Sequence, residues 1–165
     1  MDRYDERIIK GKTSAGAIAV LVLSVLVAIL GLLLMLVLPP VGFFILAIGI
    51  IAGVFAKDNT NIEYEYIITN GDIEIAKIMS KKRRKTLKEI EASNVTRVEY
   101  ASAESVKNDL SLNKIKVKKY LAKEEDGKIV AVYTGEGENK TITLLDLNDK
   151  CIDHFKTVYK VKCFL

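Results

Sequence analysis

The hydrophobic positions of this chain form one uninterrupted block near its start and short alternating segments after it. Residues 13–56 contain no Asp, Glu, Lys, Arg or His. The pair Pro39-Pro40 divides this block into two apolar stretches, residues 13–38 and 41–56. Because adjacent prolines cannot continue a helix, the pattern predicts two helices that form a hairpin.

Both stretches are candidates for membrane spans. As helices they would be about 39 Å and about 24 Å long, against a hydrocarbon core of about 30 Å. The first is long enough to span with tilt, and the second is short for a span. We therefore expect a transmembrane hairpin. The alternative left open is one spanning helix followed by a re-entrant or interfacial segment.

The charges that flank the block predict its orientation. Four basic residues precede it and 21 follow it, while the connection Pro39-Pro40-Val41-Gly42 carries none. By the positive-inside rule, both termini are expected in the cytoplasm, with the protein a multi-pass component of the cell membrane. The basic residues before the block resemble the start of a signal peptide. The apolar run is too long for one and a second run follows it, so we expect the segment to be retained.

Small residues recur along both apolar stretches, and they predict close helix packing within the hairpin or between copies. The recurring positions are Ala17, Ser24 and Gly31 in the first stretch, with Gly42, Gly49, Gly53 and Ala56 in the second. No ionisable residue lies inside the block, so the usual sign of an ion path or substrate site is missing. A channel or transporter acting alone is therefore not expected.

From Lys57 onward the pattern changes to short segments of alternating polarity, which predict strands. Asn70-Gly71 and Asp126-Gly127 are turn signals between them. The region from Ser102 to Leu110 is predicted as a short helix or a long loop. Seven strands are predicted, near residues 62–68, 73–79, 86–90, 95–101, 115–121, 129–134 and 141–145.

A helix is predicted near residues 147–160, after the last strand. Asp146 is its predicted N-cap. Ile152, Phe155 and Tyr159 share one face at helical spacing. Seven antiparallel strands closed by an amphipathic helix is the order of elements in a pleckstrin-homology-like (PH-like) roll.

Particular segments strengthen this comparison. Residues 64–75, with the turn Asn70-Gly71, lead to the basic Arg83-Arg84-Lys85 and then to the strand Val95-Thr96-Arg97-Val98. They resemble bacterial PH domains attached to membrane hairpins. The whole chain is similar to a family of small uncharacterised bacterial membrane proteins with two N-terminal spans and such a domain.

The resemblance implies an α+β fold. An N-terminal transmembrane helical hairpin would precede a C-terminal PH-like antiparallel β roll of about seven strands, capped by a C-terminal helix. The predicted organisation is a cytoplasmic segment at residues 1–12, the hairpin at 13–56 and the PH-like cytoplasmic domain at 57–165. Bacterial PH domains are generally taken as interaction modules, and the family supplies no catalytic residue.

Two basic segments of the domain are candidate contact sites. The run Lys81-Lys82-Arg83-Arg84-Lys85 predicts either a solvated turn or a contact to anionic lipid headgroups. The lysines 114, 116, 118 and 119 are interpreted as the outward face of a strand, protecting a sheet edge. Residues 57–165 carry 21 basic and 18 acidic residues. This small excess does not predict nucleic acid as a partner.

The candidates for metal or nucleophilic chemistry are Cys151, His154 and Cys163. Three candidate ligands are few for a metal site, and a Cys–His pair would still need an orienting group and an anion hole. We interpret Cys151 as a small helix residue and place His154 at the exposed edge of the helix. No metal, cofactor or catalytic site is predicted.

The sequence therefore predicts a non-enzymatic integral membrane protein. Its PH-like domain would be presented for interaction with a protein or with the membrane surface. The alternative is a small accessory subunit that packs into a larger membrane complex through its glycine-rich hairpin. The sequence does not identify the partner, which is either another protein or a second copy of this chain.

Overall fold

The computed structural model of the chain describes residues 3–111, 115–123 and 127–165, apart from the side chain of Glu138. Its elements confirm the α+β fold. In order they are β1 (Tyr4–Lys10), α1 (Ala15–Leu34), α2 (Pro39–Thr60), β2 (Ile62–Thr69), β3 (Asp72–Met79), β4 (Arg83–Ile90), β5 (Val95–Tyr100), α3 (Glu104–Ser111), β6 (Lys116–Tyr120), β7 (Lys128–Thr134), β8 (Thr141–Leu147), α4 (Asp149–Tyr159) and β9 (Cys163–Phe164).

The strands form two sheets. The first has the order β1-β2-β3-β4 and the second the order β6-β8-β7-β5-β9. In the second sheet β7 pairs antiparallel with β5 and β8, while β6 and β9 are parallel to their neighbours. The β2–β3 turn, Asn70-Gly71, has positive φ at both positions, as a two-residue hairpin requires.

The first strand lies outside the predicted domain boundaries. Residues 1–12 were expected as a separate segment, but β1 pairs antiparallel with β2 from Tyr4↔Thr69 to Lys10↔Glu63. The β domain is thus built from residues on both sides of the helices. The alternation in β1 was hard to recognise, because the inward positions include the charged Asp5 and Arg7 as well as Ile9.

The main core lies between the two sheets, and α4 covers it. Ile152, Phe155 and Tyr159 are buried in this core, which confirms the predicted helix face. The Tyr159 hydroxyl donates a hydrogen bond to the Gly71 carbonyl. A smaller cluster on the other side of the second sheet contains Val106 of α3. The segment predicted as a helix or a loop is therefore a helix that covers this second cluster.

The N-cap of α4 is Asn148, and the prediction of Asp146 was wrong. The Asn148 side chain accepts a hydrogen bond from the Cys151 N–H at 3.0 Å. Asp146 belongs to β8, which continues to Leu147, and its carboxylate is buried. Both residue types cap helices well, so local sequence alone could not distinguish them.

The helical hairpin is a second compact unit. Helix α1 ends at Leu34, and four residues lead to α2, which begins with Pro39 and Pro40 in its first turn. The prolines therefore start the second helix and do not form the connection. The first turn tolerates proline because its N–H groups have no partner within the helix. Helix α2 runs to Thr60, four residues beyond the predicted end at Ala56.

Candidate membrane-contact site

The basic run is divided between a turn and a strand. Lys81 and Lys82 lie in the turn after β3, and Arg83, Arg84 and Lys85 are the first residues of β4. All five side chains are exposed. The sequence predicted a single exposed turn, but the two parts of the run have different surroundings.

The turn has an uncommon backbone. Ser80 and Lys81 have φ of 49° and 57°, and the Lys82 N–H donates to the Met79 carbonyl at 3.0 Å. This is a two-residue turn with positive φ at both central positions, where Asn-Gly is preferred. A serine and a lysine in this conformation cost some free energy, so the surrounding contacts must hold the turn.

One such contact comes from the end of α2. The Ser80 N–H donates to the carbonyl of Asn61 at 2.8 Å. The Arg83 guanidinium lies 5.9 Å from the centre of the Phe55 ring, within the range of a cation–π interaction. The turn Met79–Arg83 accordingly belongs to the same compact unit as the helices. The cations of the turn therefore lie at the C-terminal end of α2, where Lys57 is also located.

Arg84 differs from its neighbours because it is already paired. Its guanidinium forms ion pairs with Glu65 of β2 and with Glu74 of β3, the latter at 3.0 Å. These carboxylates raise the pKa of Arg84, Glu65 most strongly. Arg84 therefore joins three adjacent strands, and its charge is largely balanced within the first sheet.

The small residues lie where the two helices meet. The buried residues of the helices are Ser24, Gly31, Gly42, Gly49 and Ala56. A Cβ at Gly31 would collide with the backbone of Leu46, and one at Gly49 would lie 2.6 Å from the backbone N of Ala28. Gly53 has the Ser24 hydroxyl nearby, whereas Ala17 is only partly buried. Gly31 and Gly49 therefore lie against the backbone of the neighbouring helix, where a larger side chain would not fit.

We expect Gly31→Ala to destabilise the hairpin by about 1–3 kcal/mol, because the helices must separate to admit the methyl group. The matched control is Gly16→Ala in the same helix, where a Cβ meets only the Ser14 hydroxyl at 3.9 Å. There the better helix propensity of alanine should leave stability unchanged or slightly raised. Thermal unfolding of the full chain in dodecylmaltoside, followed by circular dichroism, compares the two. Equal effects of both substitutions would contradict this packing.

The second lysine segment is an edge strand, β6, in which Lys116, Lys118 and Tyr120 share one face. Lys114 lies outside the described residues, as does Asp126 of the predicted turn. Val117, on the opposite face, packs on the smaller cluster beside α3. Tyr120 packs on the main core. Lys116 and Lys118 therefore share the core-facing side of β6, although Lys116 is exposed, and for these two the outward assignment was wrong. Lys119 is exposed on the opposite face, the same face as Val117.

The cysteine and histidine positions do not form a reactive group. His154 is fully buried, not at an exposed edge, and its Nδ1 lies 2.7 Å from an Asp5 carboxylate oxygen. Burial raises the pKa of the Cys151 thiol to about 11, so this thiol stays protonated at neutral pH. Cys163 lies in β9. Among the described residues, no group of three His, Cys, Asp or Glu side chains could hold a metal ion.

Sequence reasoning missed the polar contacts that hold β1. The Arg7 guanidinium donates to the Asp146 carboxylate at 2.8 Å, and both side chains are buried. Arg3 donates to the Thr157 hydroxyl of α4 at 3.0 Å, and Asp5 meets His154. Arg3, Asp5 and Arg7 alternate in the sequence, which was the available signal for a strand with a polar inner face.

Comparison with protein families identifies the family to which the sequence is similar. The family model described as Bacterial PH-like domain (DUF6106) matches residues 1–165. This match includes the segment before α1 and both helices. No curated protein and no solved structure matches the chain.

Proposed function

The chain belongs to this family of bacterial PH-like domains, and we propose that it is a non-enzymatic protein anchored in the cell membrane, whose turn Met79–Arg83 contacts anionic lipid headgroups. The observation that carries the proposal is the attachment of this turn to the end of α2, through Asn61 and Phe55. The cations of the turn are thereby held next to an apolar helix.

The dimensions of the helices support anchoring. Both are long and apolar enough to cross a membrane. Helices of 20 and 22 residues are about 30 Å and about 33 Å long, close to the hydrocarbon thickness. Their outward side chains are large, apolar and exposed, among them Leu23, Leu26, Phe44 and Ile48. In lipid these side chains would lie in hydrocarbon.

The position of β1 favours two complete crossings. β1 precedes α1 and β2 follows α2, yet the two strands are neighbours in one sheet. A sheet folds on one side of a membrane, so the chain between these strands crosses an even number of times. One spanning helix followed by a re-entrant segment would separate β1 from β2. Removal of the first helix as a signal peptide would also remove β1.

The turn has the charge that a cytoplasmic membrane surface attracts. Lys81, Lys82 and Arg83 are exposed, and ion pairs with described carboxylates are absent for all three. Each basic residue near an anionic surface contributes about 1 kcal/mol. Anchoring by the helices would hold these residues near the lipid, so weak individual contacts suffice. The positive-inside rule favours the cytoplasmic side for both flanks.

The chemistry of the domain favours a binding role over catalysis. PH-like domains are generally non-catalytic. The Cys151 thiol is protonated and buried, and His154 is fully buried beside Asp5. The alternative role as an accessory subunit was based on glycine faces, but Gly31, Gly42 and Gly49 meet the neighbouring helix of the same hairpin. Headgroup contact is therefore the function we favour.

We expect a soluble form of the domain to sediment with anionic liposomes about a hundredfold more tightly than its Lys81→Ala/Lys82→Ala/Arg83→Ala variant at low salt. In this form Asn-Gly replaces residues 12–61. The replacement keeps β1 and removes Phe55 and Asn61, so the comparison measures the charge of the turn without its contacts to α2. Three surface contributions of about 1 kcal/mol each add to about 3 kcal/mol of binding free energy, which corresponds to about a hundredfold in affinity. Binding should weaken as salt rises and be slight with neutral liposomes.

The matched control for this test removes three exposed cations elsewhere, as Lys107→Ala/Lys150→Ala/Lys156→Ala. It has the same net charge as the turn variant, so a nonspecific charge effect would weaken both alike. We expect the control to keep most of the binding. If both variants lose affinity equally, the turn is not a headgroup contact.

A further inference from the structure

Three lysines come from facing sides of the two sheets: Lys88 and Lys118 are partly buried, and Lys116 is exposed. Lys116 and Lys118 are on the same face of β6 as Tyr120, because alternate residues of a strand share a face. The Tyr120 ring packs edge-on against Tyr64 of β2, with 5.6 Å between ring centres. This face of β6 is therefore directed toward the first sheet.

Lys88 reaches the same place from the first sheet. Its Nζ donates a hydrogen bond to the Thr143 hydroxyl at 2.8 Å. Thr143 is fully buried in β8, and its partner in the parallel register with β6 is Lys118. Lys116 is the partner of Thr141, two residues before Thr143. Lys88 from the first sheet thus contacts a buried hydroxyl of the second sheet, and the strand beside that hydroxyl contributes Lys116 and Lys118 on the facing side.

The positive charge of this group is not balanced by nearby described side chains. Lys88, Lys116 and Lys118 form no ion pair within 4.0 Å with a described carboxylate. The side chain of Glu138 is not among those described. The pKa of Lys88 is lowered, first by burial and then by the charges of Lys118 and Lys116. Partly buried ammonium groups close to one another destabilise the folded state, and a bound anion would offset this repulsion.

Space for a ligand lies beside Lys88. A cavity of about 470 Å³ is lined by Lys88 and by hydroxyl and amide side chains, namely Ser93, Asn94, Thr96, Thr134 and Asn139. Glu89 and Glu136 also line it. Their carboxylates disfavour a second anionic group at that end. Of the three lysines, Lys88 is the one that lines this cavity. A ligand with its oxyanion at the lysines would therefore extend a neutral polar part past Lys88 into the cavity.

We propose that Lys88, Lys116 and Lys118, together with the Thr143 hydroxyl, bind the phosphate group of a soluble polar molecule between the two sheets. The phosphate oxygens would accept hydrogen bonds from the ammonium groups and from the hydroxyl. This site goes beyond the proposed membrane contact and does not depend on it, because its lysines are separate from the turn Met79–Arg83.

The test uses the full chain in dodecylmaltoside, a detergent without phosphorus, and inorganic phosphate as the probe. Exchange with the protein should broaden the ³¹P resonance of phosphate, in a manner that saturates with protein concentration. We expect Lys88→Gln and Lys118→Gln each to weaken binding at least about tenfold, as loss of a charged hydrogen bond does. Lys107→Gln, at an exposed position on α3, should leave the affinity unchanged.

A stability measurement separates binding from a structural role of Lys88. Without phosphate, Lys88→Gln should melt at the same temperature as the parent or higher, because a desolvated like charge is removed. Added phosphate should raise the melting temperature of the parent and not of Lys88→Gln. Absence of ³¹P broadening, or equal broadening by Lys88→Gln and the parent, would overturn the proposal.

The source of the phosphate group is distinguished in nanodiscs. With a soluble ligand, phosphate binding should be the same in phosphatidylcholine nanodiscs and in nanodiscs rich in phosphatidylglycerol. Suppression of binding by the anionic lipid alone would overturn the soluble source, since a headgroup would then occupy the lysines. If Lys88→Gln does not fold, Lys116→Gln and Lys118→Gln provide the same comparisons.

Discussion

The soluble form in which Asn-Gly replaces residues 12–61 is expected to fold cooperatively, whereas a fragment of residues 62–165 is expected to lose its cooperative transition. The difference is β1, which pairs with β2 along its whole length and buries Ile9 in the main core. It also supplies Arg7, the partner of the buried Asp146. Together these losses amount to several kcal/mol, and a domain of this size has about 5–15 kcal/mol in total.

The replacement is designed from the register of the two strands. Lys10 is opposite Glu63, so Gly11 and Ile62 are the next opposed positions. A two-residue Asn-Gly loop between them gives the turn that suits an antiparallel hairpin. Urea unfolding followed by tyrosine near-ultraviolet circular dichroism compares the two proteins. Cooperative unfolding of residues 62–165 with similar stability would show that β1 is dispensable.

Asp146→Leu is expected to destabilise the same soluble form by about 3–5 kcal/mol, because it leaves the Arg7 guanidinium buried without its partner. The two side chains are only 8% and 1% exposed, so water cannot replace the lost interaction. Arg7→Leu should have a similar effect for the opposite reason. The double variant Arg7→Leu/Asp146→Leu should recover much of the loss, since apolar side chains can replace a buried ion pair.

Urea unfolding at pH 7 measures the four proteins of this cycle. A coupling free energy of about 2 kcal/mol or more between the two sites would agree with a buried ion pair. The surface pair Lys128–Asp149 is the control, with side chains 59% and 88% exposed. Lys128→Ala should change the stability far less than either single variant of the buried pair, because exposed ion pairs contribute little. Additive effects at Arg7 and Asp146, or single losses as small as that of Lys128→Ala, would contradict this role.

These two results would mean that the membrane hairpin is an insertion into the β domain, between β1 and β2. The ends of the hairpin are joined to adjacent strands, and the β3–β4 turn contacts the end of α2. A change in the tilt or depth of α2 would therefore act first on the cations of this turn. The hairpin would place the proposed headgroup contact as well as anchor the protein.

Local patterns in the sequence determined most of the elements. The long apolar run of residues 13–56, divided by Pro39-Pro40, specified two apolar helices, because adjacent prolines cannot continue a helix. Asn70-Gly71 specified the β2–β3 hairpin, since both residues accept positive φ. The face of Ile152, Phe155 and Tyr159 specified the helix that covers the core. Each of these signals lies within a few residues of the structure that it predicts.

Tertiary structure decided which charges are paired and which surfaces are buried. Arg7 and Asp146 are 139 residues apart in sequence, and Asp5 and His154 are 149 apart, so no local pattern joins them. Arg84 looks like the other cations of its run until three strands bring it to Glu65 and Glu74. The inner face of β6 also depended on where the first sheet lies. Local hydrophobicity and backbone preference specify elements, but the partners of charged side chains depend on contacts between distant segments.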